Sequence, residues 1–121
     1  MQLQKITMEF SVCKVSSLAH IDFSQDFIFL SKTDDEISVV CGSNSVPHDA
    51  TAVESGWKAL KILGVLDFGM IGIIARISAI LADAKISLFA VSTYNTDYFF
   101  LKSRDYDIAV ELLLGNGYLV Q

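Results

Sequence analysis

Two stretches of this sequence gather polar groups where the chain changes direction, and both could do chemistry. Asp67-Phe68-Gly69-Met70-Ile71-Gly72 sets a carboxylate and two glycines just ahead of a helical pattern. Ser92-Thr93-Tyr94-Asn95-Thr96-Asp97 sets hydroxyls, an amide and a second carboxylate between two strand-like runs. A helix start offers unpaired N–H groups and the positive end of a dipole, and glycine lets a ligand approach that backbone closely. Such groups suit recognition by charge and hydrogen bonding. They make no nucleophile or proton relay: His20 and His48 have no neighbouring motif for a triad or a metal site and read as surface or turn histidines. Cys13 and Cys41 form no CxxC pair and read as buried free thiols. No cofactor or metal is expected.

The elements that would hold these residues follow from period and punctuation. Trp57 to Leu66 is apolar enough for a buried strand, and the glycines of the next six residues supply a turn. Ile73, Ile74, Ile77, Ile80, Leu81 and Ala84 then form one wide apolar stripe at helical spacing, with Arg76, Ser78 and Asp83 away from it. Ile86 to Tyr94 and Tyr98 to Lys102 favour strands, and Asn95 to Asp97 has turn chemistry, so this pair predicts a hairpin. Asp105 and Asp107 suit the positive end of a second helix, Ile108, Ala109, Leu112 and Leu113 give it an apolar face, and Gly115-Asn116-Gly117 ends it. Tyr118 to Val120 makes a last short strand. The order strand, helix, strand, strand, helix, strand predicts a ferredoxin-like α+β fold with both helices on one sheet face.

The first half reads differently. Leu3 to Met8, Phe10 to Val15, Phe27 to Ser31 and Ile37 to Cys41 are strand-like, with only short segments between them that could be helical. Gly42 to Gly56 holds the only proline and small polar residues, and reads as a linker. The expected division is an abbreviated strand-rich lobe with linker, 1–56, and a second domain, 57–121.

Composition bounds the rest. The 121 residues suit one ordinary domain or two very small lobes. Hydrophobic residues make up 52% and mean hydropathy is +0.46, yet Ile71 to Leu81 is interrupted by Arg76 and falls short of a membrane span. Met1 to Phe10 alternates polar and apolar residues and does not look like a cleavable signal, so a cytoplasmic protein with no membrane partner is expected. A net charge of −5 with no basic cluster argues against nucleic acid. So few charges at such apolar content predict a homodimer or larger assembly.

The sequence also resembles a known family. Trp57, Leu66-Asp67-Phe68, Gly72-Ile73, Ile86-Ser87-Leu88-Phe89 and the Ser92 to Tyr98 run look like small tandem ACT-domain proteins related to the CASTOR amino-acid sensors. Phe10 to Lys14 and Asp35 to Cys41 look like strands of that family's N-terminal lobe. The S-T-Y-x-T-D run is the most specific part, and the proline often found between the aspartate and glycine of the turn is missing here. The resemblance implies an ACT domain preceded by an abbreviated ACT-like lobe. It implies a non-enzymatic regulatory module that binds a free amino acid and has a possible regulated protein partner.

A free amino acid needs an anion hole beside a carboxylate. Met70 to Gly72 at the helix start would receive the ligand carboxylate, Asp67 and Asp97 its ammonium, and Thr93 and Asn95 would add neutral hydrogen bonds. The expected ligand-binding set is Asp67, Phe68, Gly69, Met70, Ile71, Gly72, Thr93, Tyr94, Asn95 and Asp97. Each also has a plain structural reading: Asp67 as a helix cap, Asn95 and Asp97 as turn formers, Gly72 as a site of close packing. Trp57 and Tyr98-Phe99-Phe100 read as core or interface.

Other functions on this topology fit less well. An RNA-recognition sheet needs aromatics among Lys and Arg, and an acylphosphatase-type hydrolase needs an Arg in a phosphate loop, whereas Arg76 lies inside the first helix and Arg104 follows the third strand. A structural or protein-interaction module is the serious alternative.

Overall fold

The computed structural model describes residues 1–64 and 71–121. Their contacts form two compact units, one of Met1–Thr7 with Lys58–Gln121 and one of Met8–Trp57. The strands in chain order are β1 (Gln2–Val15), β2 (Phe29–Lys32), β3 (Ile37–Gly42), β4 (Ala52–Ile62), β5 (Leu88–Ser92), β6 (Asp97–Lys102) and β7 (Leu119–Val120). The helices are α1 (Ile73–Asp83) and α2 (Tyr106–Gly115). Among the described residues no helix is long and apolar enough to cross a membrane.

The larger unit has the expected βαββαβ order, from the end of β4 to β7. Its strands lie in the order β7-β1-β4-β6-β5. Both helices pack into one core: Ile77 and Leu81 of α1, and Ala109, Val110 and Leu113 of α2, join Leu60, Ile62, Phe99 and Leu101 of the sheet. Alternate residues of a strand face one side, so Leu60 and Ile62, like Phe99 and Leu101, present the same face to both helices. The helical stripes are narrower than the sequence predicts. Ile74 is 40% exposed and Ile108 56%, while Tyr106 and Val110 are buried. An apolar stripe wider than the sheet can cover leaves its flanking residues in solvent.

Composition assigns the first residues to the N-terminal lobe, whereas contacts group Met1–Thr7 with the larger unit. The cause is visible in the packing. Gln2 and Leu3 pair in parallel with Leu119 and Val120, and Leu3 is fully buried in the two-helix core. Tyr106 fixes the start of α2 to the sheet by donating its hydroxyl to the Ala59 carbonyl at 2.6 Å. Burial pushes this phenol's pKa from 10.0 up to about 12; a backbone hydrogen bond from Ile6 opposes the rise, and the charge of Asp107 adds to it.

The smaller unit is built on the strand order β2-β3-β1. β3 runs antiparallel to β1, with Val40 opposite Val12 and Val39 opposite Cys13. β1 is one continuous strand where the sequence predicts two, because Glu9 interrupts the apolar pattern without breaking the backbone pairing. The predicted linker, 42–56, also shrinks: Gly42 ends β3, Ser43–Ser45 form a short 3₁₀ turn, and β4 begins at Ala52. Gly56 explains the disguise. Its φ of 88° inside β4 is a conformation that glycine adopts freely, so a residue that reads as a break is held within a strand.

Candidate functional site

The β5–β6 hairpin carries the second polar stretch, and threonine hydroxyls build its turn. Thr93 N–H and Thr93 Oγ1 both donate to the Thr96 carbonyl, at 2.8 and 2.9 Å, while Thr93 Oγ1 accepts from Thr96 N–H at 3.3 Å. This is the local side-chain to backbone bonding that lets threonine shape a turn. The Thr93 hydroxyl, expected to face a ligand, spends its proton inside the hairpin.

Thr96 anchors that turn. Its Oγ1 donates to the Ile62 carbonyl at 2.7 Å across 34 residues, and its side chain is 4% exposed. The hairpin tip is thereby tied to the last residue of β4, the strand that precedes α1. In a βαββαβ chain the end of the first strand, the start of the first helix and the turn of the hairpin all lie at one end of the sheet. From sequence Thr96 reads only as one of the turn residues Asn95 to Asp97, since a bond to a partner 34 residues away leaves no local signal.

Of the helix-start residues, Ile71 and Gly72 are described, whereas Asp67, Phe68, Gly69 and Met70 lie outside the described residues. Gly72 caps α1 with φ 80° and ψ 9°, a left-handed conformation that an L side chain adopts only with strain, and its carbonyl accepts from Arg76 N–H at 2.9 Å. The cap makes no side-chain hydrogen bond, and the first turn holds no acidic residue. The helix dipole is therefore not neutralised from within α1 at this end. Ile71 is 93% exposed beside it.

On the hairpin, Asp97 is half-buried opposite Ser92, whereas Tyr94 and Asn95 are exposed. Asp97 thus puts a carboxylate at the first residue of β6. A cleft of about 140 Å³ also borders α1, lined by Met1, Ile73, Arg76, Asn116, Gly117 and Tyr118. Its walls come from parts of the chain far apart in sequence, so no local pattern marks it.

Among the described residues no group of three or more His, Cys, Asp or Glu is arranged for a metal ion. Cys13 and Cys41 are free and buried, as expected, and hydrogen-bond to each other. Burial pushes the Cys41 thiol from 9.0 up to about 12, and contact with Cys13 adds to the rise. A buried thiol held protonated is a poor nucleophile.

A family model described as an ACT domain matches residues 52–114, and one for an N-terminal domain matches 8–49. A solved protein from Agobacterium tumefaciens is 27% identical, with 99% of this chain and 91% of that one covered and a TM-score of 0.87. The aspartate kinase from Synechocystis is 19% identical over 99% of this chain and 27% of its own, with a TM-score of 0.69. The aspartate kinase from Clostridium acetobutylicum, described as an allosteric enzyme, is 11% identical over 93% of this chain and 33% of its own, with a TM-score of 0.64. Comparison with curated proteins gave no match.

Proposed function

This chain belongs to the ACT-domain family, and on that footing we propose that it is a non-catalytic regulatory module that binds a free amino acid or similar small ligand at an ACT-type interface. The observation that carries the reading is the Thr96 hydroxyl bond to the Ile62 carbonyl. It holds the hairpin that bears Asp97 at the end of the sheet from which α1 departs. The ligand carboxylate is assigned to the N–H groups from Met70 to Gly72, and its ammonium to Asp97 and Asp67. Phe68, Gly69, Ile71, Thr93, Tyr94 and Asn95 complete the proposed set. The likeness to aspartate kinases, one of them described as allosteric, supports a regulatory role.

We further propose kinship with CASTOR-type sensors, assembly as a homodimer or larger and a cytoplasmic setting. A division at residue 56 into an abbreviated lobe and an ACT domain belongs with them. A second reading, as a protein-interaction module without a small ligand, is favoured by the exposure of Ile71, Ile108, Leu114 and Leu119. Thermal-shift measurement of the full chain against each of the twenty amino acids separates the two readings. Binding to the folded state raises the melting temperature with ligand concentration. The regulatory reading expects one amino acid, or a few similar ones, to do so; no shift with any of them favours the interaction module.

A further inference from the structure

The smaller unit contains a side-chain pair that the proposed function does not use. The rings of His20 and His48 lie 4.0 Å apart between centroids, tilted by 50°. Both residues are exposed, and they come from segments 28 positions apart in sequence. Each sits on a hydrogen-bonded turn. Ile21 N–H donates to the Leu18 carbonyl at 3.3 Å around His20, and Ala50 N–H to the Pro47 carbonyl at 3.1 Å around His48. The turns share a base: Ile21 is buried in the cluster of Cys13, Val15, Val39 and Cys41, against which Val46 and Ala50 pack. Two imidazoles are thus brought side by side, tilted to each other, by turns that one packed cluster anchors.

Two neutral imidazoles are borderline ligands that suit copper, nickel and zinc. With a metal–nitrogen bond of about 2.1 Å, each ring centroid stands about 3.2 Å from a shared ion. A right-angled pair of bonds then puts the centroids about 4.5 Å apart, and a tetrahedral pair about 5.2 Å. The observed 4.0 Å is nearer the right-angled arrangement, typical of nickel or copper, and the rings need open by only about half an ångström. Charge favours a cation. Met8–Trp57 holds eight acidic residues against Lys14 and Lys32, a formal −6, whereas the rest of the chain is nearly balanced. In the turn of His48, Asp49 Oδ1 is buried with no hydrogen-bond partner among the described residues.

We propose that His20 and His48 form a two-imidazole site for a divalent transition-metal ion of the nickel or copper class, with water in the remaining positions. The test uses tag-free full-length protein and Ni²⁺ alone, which avoids oxidising the thiols. Titration calorimetry is expected to find one Ni²⁺ per chain, and melting is expected to rise with Ni²⁺ concentration. His20→Ala and His48→Ala, each checked for native circular dichroism, should abolish both signals. A titration of the unaltered protein followed by NMR should broaden resonances around Leu18–Ile21 and Pro47–Ala50 first, a readout that does not depend on any variant folding. No binding by the unaltered protein, binding that survives either substitution, or broadening centred elsewhere overturns the proposal.

Discussion

Met8–Trp57 and the unit of Met1–Thr7 with Lys58–Gln121 are both built on long strands, but they bury different things. Among the described residues, the larger unit builds two amphipathic helices into a core of thirteen buried residues, all apolar but for the hydroxyls of Tyr106 and Tyr118. The smaller has no α-helix among its described residues, and one of its cores consists of Cys13, Val15, Ile21, Val39 and Cys41. It also holds a partly buried chain of hydroxyls. Ser11, fully buried, bonds Ser43 Oγ at 2.7 Å and Ser55 Oγ at 2.9 Å. Large side chains interlocked between helix and sheet stabilise the first kind of core. Small residues and satisfied polar groups fix the register of the second, at less gain per residue.

The largest effect that can break this comparison is a core truncation in each unit. Leu113→Ala removes a fully buried side chain between α2 and the sheet and should cost about 2–5 kcal/mol in urea unfolding. Cys41→Ala removes one buried sulfur and should cost about 1 kcal/mol, the scale of a single buried methylene. Equal costs, for one atom removed against three, would mean that the small core is the more tightly packed of the two.

Alkaline pH sharpens the same contrast at smaller magnitude. Tyr106 and Cys41 both have folded-state pKa values raised above their unfolded ones, so their stabilisation is complete below the unfolded pKa and is lost as pH rises toward the folded value. For Cys41 that window runs from 9.0 to about 12, and for Tyr106 from 10.0 to about 12. Unfolding midpoints should therefore begin to fall near pH 9 in the wild type. Cys41→Ala should delay the onset, whereas Tyr106→Phe should flatten the decline above pH 10. Tyr106→Phe should also cost about 1–3 kcal/mol at neutral pH, because the Ala59 carbonyl loses its donor. A variant whose pH profile matches the wild type would remove that group from the account.

How far the sequence reveals this molecule differs between the units for the same physical reason. In the larger unit, helical spacing of Ile73, Ile77, Ile80 and Leu81, and the turn residues at Asn95 and Gly115 to Gly117, mark every element from α1 to β7. Strong periodicity survives because each element buries one face against a shared core. In the smaller unit, Gly42, Gly56 and the polar residues between them read as a linker. The backbone bonds of β3 and β4, which carry some of these residues, are indifferent to side-chain type. Leu3 could not be assigned from sequence to its partner Val120 either, because pairing across nearly the whole chain leaves no local signal. The site was partly legible. The hairpin and the glycine cap of α1 follow from turn chemistry, while the Thr96 anchor and the paired His20 and His48 depend on residues distant in sequence.

The central claim is that Asp97 faces an amino-acid ligand and does not merely shape its hairpin. The direct measurement is calorimetric titration of wild type and Asp97→Asn with the amino acid that most raises the wild-type melting temperature. Asn keeps the shape and the turn bonding of Asp but removes its charge. The hairpin itself is held by Thr93 and Thr96, so the variant should melt as the wild type does without ligand. Losing a charge-assisted hydrogen bond costs about 1.5–3 kcal/mol, so the account predicts affinity weakened by roughly ten- to a hundredfold. Unchanged affinity in a folded Asp97→Asn protein would contradict it.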